Sequence, residues 1–66
     1  MREIQSQNLR AGDTLCFVHP NNSVDRHVVD LVIEREPEPG RENVQVHCNN
    51  QTMTFSFFSD EPVLVE

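Results

Sequence analysis

The chain has no tryptophan, no tyrosine, two glycines, two cysteines and no long apolar run. Each shortage excludes something. Without Trp or Tyr, the aromatic-lined groove that grips proline-rich peptides lacks its usual material. Base-stacking platforms for single-stranded nucleic acid lack theirs too. Gly12 and Gly40 are the only glycines, so there is no glycine-rich phosphate loop. Cys16 and Cys48 are too few for the disulfide framework of a small secreted domain. The apolar stretches fall far short of a membrane span. Residues 1–7 carry no apolar signal-peptide core, so the chain reads as cytoplasmic. Asn21-Asn22-Ser23 and Asn50-Gln51-Thr52 match the glycosylation sequon. In a cytoplasmic chain they are chance matches.

Basic charge is scarce as well. Eleven Asp and Glu stand against five basic residues, for a net charge of −6. This argues against direct binding of nucleic acid, which needs clustered cations, and against an anionic membrane surface. It permits a basic protein partner, and it keeps a small domain in solution. Sixty-six residues make a single domain, 1–66. A chain of that size buries only about 60% of its unfolded surface, so its core is small and a deep substrate cleft has little room.

What is present is mostly β pattern. Residues 2–5 read as a short edge strand with Ile4 inward. Residues 5–13 read as a loop or one helical turn anchored by Leu9. Leu9-Arg10-Ala11-Gly12-Asp13 ends in a sharp corner, where Gly accepts positive φ and the Asp side chain bonds nearby backbone N–H groups. In the strand 14–19, Leu15 and Phe17 point one way, Cys16 and Val18 the other. The strand 27–35 is the longest. Strict alternation turns Val29, Leu31 and Ile33 to the core, and Val28, Asp30, Val32 and Glu34 outward. Segment 36–42 is a Pro/Gly loop with exposed glutamates. Residues 43–48 and 52–58 form a hairpin over Asn49-Asn50, since Asn tolerates positive φ. Phe55, Phe57 and Cys48 are expected inside, Phe58 outside. Segment 63–65 closes the sheet. The expected class is all-β, a small, partly open antiparallel barrel of about five short strands.

The Leu-x-x-Gly-Asp corner, the long β-branched strand, the Pro-Gly loop and the Asn-Asn hairpin together resemble small SH3-like barrels. They look like short reading frames of actinobacteria and their phages. In those, a segment such as Leu9–Leu15 opens the barrel, and one such as Asp60-Glu61-Pro62-Val63 leads to the last strand. The resemblance covers most of the chain as a pattern. It implies a small phage-type binding protein, and a fold of this sort carries no function by itself.

Catalytic chemistry is poorly supplied. His19, His27, His47, Cys16 and Cys48 show no Cys-x-x-Cys or His-x-x-x-His pairing, so no metal site or other cofactor is expected. Cys16 beside His27 is the one nucleophile–base pairing worth naming, and acidic surroundings would raise the thiol pKa rather than lower it. Glu34 and Glu36 sit at a strand end and in a loop, without a pocket. The expectation is therefore a non-enzymatic module with no catalytic residues. Its candidate partner surface is Val18, Val28, Val32 and Phe58, edged by Asp30 and Glu34. An alternative is that the N-terminal loop covers Val18 and Val28. Three functions follow: docking on a host or viral protein; an acidic mimic of nucleic acid, using Asp30, Glu34, Glu36, Glu38 and Glu42; or a homo-oligomeric subunit joined through the valine face.

Overall fold

The computed structural model describes all residues, Met1–Glu66. Six strands follow in order: β1 (Arg2–Gln5), β2 (Thr14–Val18), β3 (Val24–Glu34), β4 (Val44–Cys48), β5 (Met53–Phe57) and β6 (Pro62–Val65). A single 3-10 turn, Ser6–Asn8, follows β1. All pairings are antiparallel, in the spatial order β1-β6-β2-β3-β4-β5. The sheet therefore does not close into a barrel: β1 and β5 remain its two edges. There are six strands rather than five, because the short terminal segments both pair, β1 against β6 from Arg2 opposite Val65 to Gln5 opposite Pro62.

The sheet nonetheless curls. Phe17 of β2 and Phe55 of β5 lie three strands apart in the sheet, yet their rings meet with centroids 4.9 Å apart. The core is held inside that curl. Leu9, Leu15, Val46, Cys48 and Val65 are fully buried, with Val29 and Val44 almost so. Burying one such aliphatic side chain stabilises by about 1.5–3 kcal/mol. Leu9 belongs to no strand. It plugs the core from the loop, and its place is fixed by the 3-10 turn before it and the corner after it.

That corner is built as its residues require. Gly12 has φ 96°, the left-handed region that L side chains avoid. A Cβ there would touch nothing, so the need for glycine is conformational. The Arg10 N–H donates to Asp13 Oδ2 at 2.9 Å, and the Gly12 N–H donates to the Val29 carbonyl at 2.8 Å.

The main departure from strict alternation is in β3. Its first half pairs with β2, from Val18 opposite Val24 to Thr14 opposite Val28. Its second half pairs with β4, and the register slips between Val29 and Leu31. Asp30 is the extra residue of a bulge. The slip inverts the faces beyond it: Val32 turns inward against the core cluster, while Leu31, expected inside, is 44% exposed. Ile33 follows Leu31 to the outer register and is half-buried. Cys16 holds its expected outward register opposite Arg26, outside the core cluster, yet is buried. An ion pair from Arg26 of β3 to Glu66 beyond β6, at 2.6 Å, crosses β2 on that face.

The bulge is tied to the β4–β5 turn. Asn49, Asn50 and Gln51 all have positive φ, 55°, 58° and 64°. For L residues each such conformation costs about 1 kcal/mol, least for Asn. Bonds to β3 hold them. The Gln51 N–H donates to Asp30 Oδ2 at 2.9 Å, the Val28 N–H to Asn49 Oδ1 at 3.1 Å, and the Asn49 N–H to the Val28 carbonyl at 2.9 Å.

Candidate functional site

β2 pairs with β3 over five residues but with β6 over only two, Leu15 opposite Val65 and Cys16 opposite Leu64. Continuing that register would place Val18 opposite Pro62. Beyond the paired segment, the Glu66 N–H donates to the Thr14 carbonyl at 3.1 Å. Antiparallel bonding alternates, so Thr14, Cys16 and Val18 direct their backbone groups toward β6. The Val18 carbonyl would then need an N–H from residue 62, and proline has none. The ladder stops there, and the two strands part.

The parting leaves a cleft of about 320 Å³. Phe17 and Val18 of β2 and Pro62 and Leu64 of β6 line it, and it reaches down to the buried Phe57 of β5. Its only charged residues are Glu3 and Glu61. The Phe58 N–H donates to Glu61 Oε1 at 3.1 Å, so one carboxylate is oriented at the rim. The cleft is thus apolar within and acidic at its mouth.

Phe17 also belongs to a cluster of three half-buried rings. His27 lies 5.8 Å from Phe17 and 5.3 Å from Phe55, centroid to centroid, in edge-on and tilted arrangements that suit aromatic pairs. Phe17 and Phe55 were expected inside, and here each keeps part of its ring in solvent. Asn49 Nδ2 lies 2.7 Å from His27 Nδ1, a hydrogen bond that holds the ring against the β4–β5 turn.

The residues singled out from sequence do not form one patch. Val18 (48% exposed) and Val28 (51%) share the outer register of β2 and β3, with Cys16 and Arg26 between them. Both are uncovered, so the N-terminal loop does not lie over them. Val32 is turned inward by the bulge. Phe58 is exposed but lies in the connection to β6, where its carbonyl accepts the Ser6 hydroxyl at 2.5 Å. Asp30 is bound to the β4–β5 turn. Glu34 is exposed and lines a different groove, about 390 Å³, together with Asp30 and Val32 of the predicted set, Leu31 and the loop residues Arg10 and Ala11. Val18 is the one residue of the set that lines the cleft. The cleft was missed because it depends on which strand lies beside β2. Pro62 was its one sequence signal, a proline at the start of a strand.

The catalytic pairing considered from sequence is not assembled. Cys16 is opposite Arg26 on the outer face, while His27 is opposite Leu15 on the inner one. Cys48 is buried in the core, and burial, aided by the Asp30 carboxylate, pushes its thiol above the ordinary 9.0. It is held as the protonated thiol, the unreactive form. No three His, Cys, Asp or Glu side chains converge as a metal site would require. In the acidic loop, Arg35 and Arg41 stand among Glu34, Glu36, Glu38 and Glu42, and Arg41 pairs with Glu38 at 3.5 Å. That mixed surface departs from the unbroken anion spacing of a nucleic-acid backbone. No helix is long and apolar enough to cross a membrane.

Comparison with family models, curated proteins and solved structures finds no match.

Proposed function

We propose that the chain is a non-enzymatic protein-binding module, and that the cleft between β2 and β6 receives an apolar side chain of its partner. The observation that carries this reading is the ladder broken at Val18 and Pro62, which leaves apolar surface open beside two carboxylates. Such a mouth suits an extended segment whose apolar anchor is flanked by arginine or lysine, since the rim charges then attract rather than repel. The finer likeness to small SH3-like barrels belongs to the same reading. It is supported by the consecutive order β2-β3-β4-β5 with the C-terminal strand returned onto β2.

The test uses fluorescent hexapeptides with a central Leu, Phe or Pro, flanked either by arginines or by glutamates. Arginine-flanked peptides should bind better, and the margin should shrink with added salt. Val18→Asp should abolish their binding while leaving stability within about 0.5 kcal/mol, since the side chain is half exposed. Equal binding of both peptide sets, or binding indifferent to Val18→Asp, sinks the reading.

A further inference from the structure

The sheet has two open edges, and they differ in how they are protected. Proteins blunt exposed edges with charge, proline, bulges or brevity, because an unpaired strand templates association. β1 has four residues and carries Arg2 and Glu3. β5, Met53-Thr54-Phe55-Ser56-Phe57, is nearly as short at five residues but has none of the other devices. It contains no charge and no proline, and its ladder with β4 runs through all five residues without a slip. No strand pairs with its outer side. Met53, Thr54 and Ser56 are exposed there.

We propose that β5 is a self-association edge, at which two copies of this chain pair antiparallel about a two-fold axis through Phe55. Charge selects the occupant. Each copy carries a net charge of −6, so most faces of the molecule repel a second copy. β5 lies inside the longest uncharged stretch of the chain, Asn43–Ser59, bounded by Glu42 and Asp60. The strand itself carries no charge, so a second copy paired along it opposes no like charges at the contact. The register follows from using the whole strand: Phe55 faces its own copy, Thr54 faces Ser56, and Met53 faces Phe57. Thr54 and Ser56 are exposed and make a hydroxyl pair on each side of the axis, while Phe55 and Phe57 stay packed in their own copy. The contact is small beside the roughly 1,200–2,000 Å² of stable complexes, so the dimer is weak and reversible.

Sedimentation of the full chain over a concentration series tests this. The expected result is a monomer–dimer equilibrium that tightens with salt, as screening relieves the net charge. The double substitution Thr54→Lys with Ser56→Lys opposes like charges twice across the axis and should weaken the dimer about tenfold. Thr54→Lys with Ser56→Glu opposes unlike charges in the same register and should restore it. Both positions are exposed, so circular dichroism should show an unchanged fold. A strict monomer at every concentration overturns the proposal. So does a dimer indifferent to the double lysine variant, or one that the lysine–glutamate variant fails to restore. Val18→Asp, which tests the cleft, should leave this equilibrium unchanged, so the two surfaces stand or fall separately.

Discussion

The two halves of β3 obey different rules. From Val24 to Val29 the strand alternates as its residues suggest: Val28 outward, Val29 in the core, His27 inward among the rings. From Leu31 to Glu34 every face is inverted. The first half carries Asp25, Arg26 and His27 among its valines and the second runs Leu-Val-Ile to Glu34, but neither composition sets the inversion. The difference is Asp30, the extra residue, which opposes no residue of β4 and instead uses its carboxylate to hold the Gln51 N–H. A bulge of this kind re-aims the strand while keeping both halves paired.

Deleting Asp30 is the strongest way to probe that contrast. In a regular strand, losing a central residue turns half of the side chains to the wrong face and unfolds a small sheet. Here the deletion should leave Val29, Leu31 and Val32 on their present faces, in an unbroken register with Cys48, His47 and Val46. The expected loss is only about 1–2 kcal/mol, chiefly the carboxylate bond to Gln51. Urea unfolding followed by circular dichroism reads this, and an unfolded deletion variant would show that the bulge does more than absorb one residue.

A smaller effect separates the two phase assignments directly. Val32→Ala should destabilise by about 1 kcal/mol, because the side chain packs on the core. Leu31→Ala should cost less, because the residue is 44% exposed and lies outside the core cluster. Strict alternation through β3 demands the reverse order, so the ranking of the two denaturation midpoints decides between them.

The smallest effect concerns the point where both halves meet the core, since Cys48 lies opposite Val29 and near Asp30. Its folded pKa is raised, so the unfolded thiol ionises first as the pH climbs past 9.0. The unfolded state then holds fewer protons, and stability falls with rising pH. The contribution is fully present below pH 9.0 and is lost as the pH rises toward the folded value. The chain has neither tyrosine nor lysine, so few other groups obscure this alkaline slope. Cys48→Ala should flatten the slope between pH 8.5 and 10.5 in denaturant titrations. An equally steep slope in that variant would assign it elsewhere.

Much of the fold was legible because its signals are local. Gly12-Asp13 marks a corner whatever surrounds it, and φ at Gly12 is positive as that reading requires. Leu9 stands out as the lone large apolar residue in a polar loop, and it is fully buried. The Asn49-Asn50 hairpin and the proline-bounded end of β3 were likewise visible. The candidate surface was not legible in the same way. Val18 was correctly placed outside, but it was grouped with Val32 by an alternation that the bulge interrupts. Phe58 was correctly placed outside as well, but in a connection distant in sequence from the strand it was meant to join.

The amino-acid sequence by itself determined an all-β chain, its turns, most strand limits and the inward phase of each strand up to its first irregularity. These depend on φ preferences, on side-chain branching and on a period of two, all properties of neighbouring residues. The tertiary structure alone decided the bulge at Asp30, the curl that brings Phe17 to Phe55, the open edge at β5 and the cleft where Val18 would face Pro62. Each of these depends on which strand lies beside which, and in what register. Register is a relation between residues tens of positions apart, as Cys16 and Leu64 are, and no local preference encodes it.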